Sequence, residues 1–221
     1  MLRVTFRTFR FLACYVAGSS WLLGCIGFIN DPVTFPGRDP CGFWRQEIWT
    51  GSRLRSVTIG DFNGDSHPDI AVRTSEELSV LLNTGGGSFA SPVRTALLFV
   101  GPWPTSDYGG RAELAADFNG DSRLDLALSD RNEILFGHGD GTFMPPQAIR
   151  GEHPTFYGLT ALGDFDSDQK PDLVFFVEGY LAILLGNGDG TFRLGGTAEI
   201  IPGSLYVADI DRDGRSDLAV I

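Results

Sequence analysis

Apolar residues in this chain fall into short runs bounded by glycine, aspartate and asparagine. The runs Val57–Ile59, Ile70–Arg73, Leu78–Leu82 and Val93–Phe99 have the length and the Val, Ile, Leu and Phe content of β-strands. The pattern returns at Leu124–Leu128, Glu133–Phe136, Leu173–Val177 and Leu181–Leu185. No segment after residue 30 has a helical period. The first 30 residues differ: residues 1–10 are basic, and residues 11–30 (FLACYVAGSSWLLGCIGFIN) carry no charge.

The strand runs belong to a repeat. The segments DFNGDSHPDIAV from Asp61, DFNGDSRLDLAL from Asp117, DFDSDQKPDLVF from Asp164 and DIDRDGRSDLAV from Asp209 are near-copies, with first aspartates 56, 47 and 45 residues apart. A second motif follows the first three: LLNTGGGSF ending at Phe89, LFGHGDGTF at Phe143 and LLGNGDGTF at Phe192. The step from first aspartate to that phenylalanine is 28, 26 and 28 residues, so two motifs recur in fixed phase. Four short strands per period of this length is a propeller-blade signature. The glycine turns read as hairpins rather than nucleotide loops, because no helix follows them. Phe62, Phe118 and Phe165 read as core residues, and the phenylalanines closing the glycine turns as packing between blades.

On these motifs residues 51–221 resemble the FG-GAP/VCBS family of β-propeller repeats, which also builds the head of integrin α subunits. The resemblance implies an all-β fold, a β-propeller or an incomplete, open propeller of about four blades. Each blade would have four short antiparallel strands, with an aspartate-rich loop holding Ca²⁺ between two of them. The open form is favoured, because a repeat array needs a terminal cap and none is visible at residue 221.

Calcium takes 6–8 oxygen ligands, and alternate oxygens along a loop can wrap it. Positions 1, 3, 5 and 9 of the four loops supply such a series. They are Asp61, Asn63, Asp65 and Asp69; Asp117, Asn119, Asp121 and Asp125; Asp164, Asp166, Asp168 and Asp172; and Asp209, Asp211, Asp213 and Asp217. The loops hold 14 aspartates, half of the 28 acidic residues, a density that is unfavourable without a cation. Position 7 (His67, Arg123, Lys170, Arg215) varies in chemistry, which suits a place where the family uses only the backbone carbonyl. An EF-hand is excluded, since position 12 is Val72, Leu128, Phe175 and Val220 instead of glutamate. The family has glycine at position 6; Ser66, Ser122 and Gln169 depart from this and predict strain in the first three loops.

Charge and the N-terminus bear on location and partners. The net charge is −11, and all the charge in residues 1–24 is basic, so the remainder is more acidic still. That balance excludes nucleic acid and adsorption to anionic lipid as modes of binding. A basic stretch followed by a short apolar one is the layout of an export signal. Leu22-Leu23-Gly24-Cys25 resembles a lipoprotein lipobox, which implies lipidation of Cys25 and a membrane contact through that anchor only. Two other readings stay open: Phe11–Asn30 retained as an anchor, or cleavage near Gly18–Ser20 giving a periplasmic or secreted protein. The expected organisation is an export signal over 1–25, an N-terminal segment over 26–50 able to add strands to the last blade, and repeats over 51–221 with the last truncated.

The first repeat is longest. From Phe89 to Asp117 is 28 residues, against 21 and 17 for the later equivalents, and the excess holds FVGPWPTSDYGG. Trp103 and Tyr108 there are candidate contacts for a ligand. No histidine has an identifiable partner and no serine or cysteine stands in a nucleophile motif, so no catalytic residue is assigned. The expected function is non-catalytic binding or adhesion to a protein or glycan at the cell envelope or outside the cell. The alternative is an accessory portion of a larger extracellular hydrolase or lyase.

Overall fold

A computed structural model describes residues 24–29, 44–49, 54–74, 77–85, 88–97, 113–129, 131–149, 157–177, 180–199 and 205–220. All regular structure among them is β. Strands β1 (Gly24–Ile29) and β2 (Trp44–Trp49) pair in parallel with each other.

The repeats then form successive antiparallel sheets. The first holds β3 (Leu54–Gly60), β4 (Asp69–Thr74), β5 (Glu77–Leu81) and β8 (Val93–Ala96), with the small hairpin β6 (Asn83–Gly85) and β7 (Ser88–Phe89) between the last two. The second is β9 (Glu113–Ala116), β10 (Asp125–Leu128), β11 (Glu133–Leu135) and β12 (Gln147–Ala148). The third is β13 (Tyr157–Gly163), β14 (Asp172–Val177), β15 (Tyr180–Gly186) and β16 (Phe192–Glu199). A fourth sheet holds two strands, β17 (Leu205–Ala208) and β18 (Asp217–Val220). Among the described residues a four-stranded antiparallel sheet thus appears three times, and strand β2 pairs with β1.

Each aspartate loop joins the first and second strand of its sheet. In the first three sheets the second strand is buried on both faces, which is why DIAV, DLAL and DLVF read as continuous apolar runs. In the second and third sheets one face packs on the sheet before and the other on the sheet after. Phe62, Ala71 and Val80 of the first sheet meet Leu126, Leu128 and Phe143 of the second. Phe118, Ala127 and Phe136 of the second meet Leu173, Phe175 and Phe192 of the third. Ala161, Val174 and Leu181 of the third meet Leu205, Val207 and Leu218 of the fourth.

The glycine turns join the sheets as expected. Phe143 lies edge-on to Phe62 at 6.0 Å, and Phe192 edge-on to Phe118 at 6.1 Å. In the same turns the Gly141 N–H donates to the Phe62 carbonyl at 3.1 Å and the Gly190 N–H to the Phe118 carbonyl at 2.9 Å. So the hairpin of one blade is bonded to the aspartate loop of the blade before it. A buried ion pair also bridges the first two sheets: Arg73 Nη1 donates to Glu113 Oε1 at 2.6 Å, and Ser56 Oγ donates to the same oxygen at 2.8 Å.

Candidate metal centre

The four loops share one hydrogen-bonding scheme, built around the first and last aspartates. The position-1 carboxylate accepts from the loop's own backbone. Asp61 Oδ1 takes the N–H of Gly64 at 2.7 Å and Oδ2 that of Ser66 at 2.7 Å. Asp117 repeats this with Gly120 and Ser122. Asp164 takes the N–H groups of Asp168 and Gln169, and Asp209 those of Asp213 and Gly214. To curl around this carboxylate the chain turns left-handed at positions 4 and 6. Ser66, Ser122 and Gln169 have φ of 66°, 67° and 64°, and Gly214 has 89°. The strain expected from non-glycine residues at position 6 is therefore present in the backbone.

Position 9 is the buried member. Asp69, Asp125 and Asp172 are 0% exposed. In each, Oδ2 accepts the backbone N–H at position 2 (Phe62, Phe118, Phe165), at 2.9, 2.9 and 2.7 Å. Oδ1 accepts the first N–H of the glycine turn (Asn83, Gly137, Gly186), at 2.7, 2.8 and 2.7 Å. Asp217 keeps the first of these bonds, to Ile210 at 2.9 Å. Asp69, Asp125 and Asp172 thus each tie their loop to the hairpin of the same sheet. Burial raises the Asp125 carboxyl to about 6, against the lowering effect of the Gly137 and Phe118 amides; burial likewise raises Asp69 and Asp172.

Positions 3 and 5 are more exposed. In the first two loops the Asn63 and Asn119 side-chain amides donate to Asp65 Oδ2 and Asp121 Oδ2 at 2.9 and 3.1 Å. This amide and the His67 N–H lower the Asp65 carboxyl. In the third loop Asp166 replaces the asparagine and Arg193 Nη2 reaches its Oδ2 at 2.8 Å. Its other oxygen, Oδ1, is buried with no hydrogen-bond partner. One carboxylate oxygen from each of Asp164, Asp166 and Asp172 lies within 4.8 Å of the other two, and the same holds for Asp209, Asp211 and Asp217. A set of carboxylate and amide oxygens suits a hard divalent cation. The partnerless Asp166 oxygen fits a role as ligand, since a buried unpaired oxygen is otherwise costly.

Position 7 adds side-chain contacts to the sequence reading. Its four residues are all basic, and three of the side chains approach the position-5 carboxylate. Lys170 Nζ lies 2.9 Å from Asp168 Oδ2, His67 Nδ1 lies 3.2 Å from Asp65 Oδ1, and Arg123 Nη1 lies 3.9 Å from Asp121 Oδ2. The Asp168 carboxyl is lowered and the Lys170 amine raised, each chiefly by the hydrogen bond between them. The signal was a constant basic character under changing residue type.

The other candidates fall elsewhere. Trp103 and Tyr108 lie outside the described residues, as does the basic N-terminal stretch. Only the backbone of Cys25, within β1, is described.

Comparison with known proteins identifies the repeats. A profile described as FG-GAP-like repeat matches residues 61–128, 117–175 and 164–220. No curated protein matches the chain. Among solved structures, an Agrocybe aegerita lectin described as recognising non-reducing terminal N-acetylglucosamine is similar in fold, with a TM-score of 0.50 and 23% identity. The likeness covers 76% of this chain, and this chain spans about half of that one (47%).

Proposed function

Because the chain belongs to the FG-GAP-like repeat family, we propose that it is an exported, calcium-binding β-propeller repeat protein. It acts as a non-catalytic binding or adhesion module at the cell envelope, held to the membrane by lipid on Cys25. The observation that carries the calcium reading is the fourfold recurrence of one oxygen array, with the partnerless Asp166 oxygen in the third copy. Calcium supplies the countercharge for three or four carboxylates held in nine residues. Asp61, Asp117, Asp164 and Asp209 with their position-3, -5 and -9 partners are the ligands.

A glycan is the favoured partner class, supported weakly by the similarity in fold to a lectin. An envelope protein remains the second reading. In either case the partner meets a surface other than the aspartate loops. Oxygens committed to a cation have little left to offer, and near-identical loops are poor devices for telling partners apart. Trp103 and Tyr108, in the least repetitive segment, are the proposed contacts. The test pairs calorimetric calcium titration with a glycan array and pull-downs on the parent and Trp103→Ala. The variant should bind calcium normally and lose partner affinity by about 2 kcal/mol or more. Unchanged partner binding would remove Trp103 from the site. Calcium-dependent cleavage of a polysaccharide by the purified chain would overturn the non-catalytic reading.

A further inference from the structure

The third and fourth loops are bonded directly to each other. Ser216, at position 8 of the fourth loop, donates its backbone N–H to the Asp164 carbonyl at 2.7 Å. Its Oγ accepts the Asp164 N–H at 3.0 Å. One serine thus holds both backbone polar groups of the residue that opens the third loop. The approach is close: a Cβ built on Gly163 would fall 2.8 Å from Ser216 Cβ.

Both ends of this contact sit inside a ligand array. Asp164 provides the first carboxylate of the third loop, and Ser216 stands between Arg215 and Asp217 of the fourth. The equivalent residues in the other loops are Pro68, Leu124 and Pro171. Proline has no N–H to donate and none of the three has a hydroxyl, so the paired bond cannot form there.

We infer that Ser216 is a positioning residue that links cation occupancy of the third and fourth loops, so that filling either favours filling the other. The inference rests on the calcium reading above. A cation in the fourth loop relieves repulsion among Asp209, Asp211, Asp213 and Asp217 and fixes the segment carrying Ser216. A fixed Ser216 holds the Asp164 backbone, and so its carboxylate, where the third loop needs it. The second cation then meets an array already ordered. Because such coupling is a free energy shared by two sites, each must shift the other by the same factor.

The test is a calcium titration of the intact chain followed by NMR. Backbone amides of residues 164–170 report the third loop and those of 209–215 the fourth. Asp211→Ala, which weakens the fourth loop, should raise the third loop's midpoint about fivefold or more. Asp166→Ala should raise the fourth loop's midpoint by a similar factor. Ser216→Pro, which installs the residue found at this position in the first and third loops, should abolish both cross-effects. Ser216→Thr, which keeps N–H and hydroxyl, should preserve them. A third-loop midpoint unmoved by Asp211→Ala overturns the link, as does a cross-effect that survives Ser216→Pro. If both loops respond to calcium but independently, the link alone fails. If no loop amide responds to calcium, the calcium reading falls and takes the link with it.

Discussion

At the scale of single residues, the aspartates of one loop do different work although the sequence writes them alike. Position 9 is enclosed and satisfies two backbone N–H groups, whereas position 5 lies near the surface. Removing Asp125 leaves the amides of Phe118 and Gly137 without acceptors inside the protein. Each orphaned donor costs about 1–3 kcal/mol. Asp125→Ala should therefore lower the urea midpoint even in chelator, and further in calcium, where a ligand is lost as well. Asp121→Ala loses mainly bonds from the Asn119 amide and the Arg123 N–H, both solvent-accessible. It should cost stability in calcium and little in chelator. Equal losses for the two variants in chelator would mean that position 5 is structural too. The sequence places both residues in the array by spacing alone. It cannot separate them, because burial depends on the hairpin that folds back from residues 133–143.

At the scale of elements, the repeat made most of the blade legible. The strands expected at Ile70–Arg73, Leu78–Leu82 and Leu181–Leu185 match β4, β5 and β15 to within a residue or two. Two of the elements that escaped lacked a periodic apolar signal. Strand β12 is two exposed residues, and β16 carries Gly195 and Gly196 in its middle. Arg73 and Glu113 stand 40 residues apart and outside the recurring motifs, so nothing local announces their pair. The glycine turns were legible as hairpins, but not their bond to the preceding blade. Gly190 shows why glycine is needed there. Its φ is +81°, and a Cβ would run into the Phe136 ring. Gly196 has open space around its would-be Cβ. Gly190→Ala should destabilise by about 1–3 kcal/mol through the clash alone, with left-handed strain added. Gly196→Ala should be neutral or slightly stabilising, as alanine is where the backbone accepts it. Denaturant unfolding of the pair checks this, and similar midpoints would show that the turn can shift away from Phe136.

At the scale of the whole molecule, the position of the loops matters more than their number. Each joins the first two strands of its sheet, and neighbours are tied through Gly141–Phe62, Gly190–Phe118 and Ser216–Asp164. Fourteen aspartates are thereby gathered where consecutive sheets meet, in a chain of net charge −11. Like charges held this close oppose the compact state, and salt relieves part of that by screening. A bound cation relieves more, because it adds ligand bonds that the unfolded chain cannot make in register. At about 1 mM Ca²⁺ and a Kd of about 0.1 mM, binding contributes about 1.4 kcal/mol per site. For a domain of this size that is about 3–6 °C in Tm per occupied site. Chelator should lower Tm by several such steps, and adding back millimolar Ca²⁺ should restore it. Sodium chloride at matched ionic strength should recover only a small part. Mg²⁺ should fall short as well, since it sheds its water reluctantly and demands near-octahedral geometry. If sodium chloride restores Tm as fully as Ca²⁺ does, the loops are screened acidic turns and hold no specific ion.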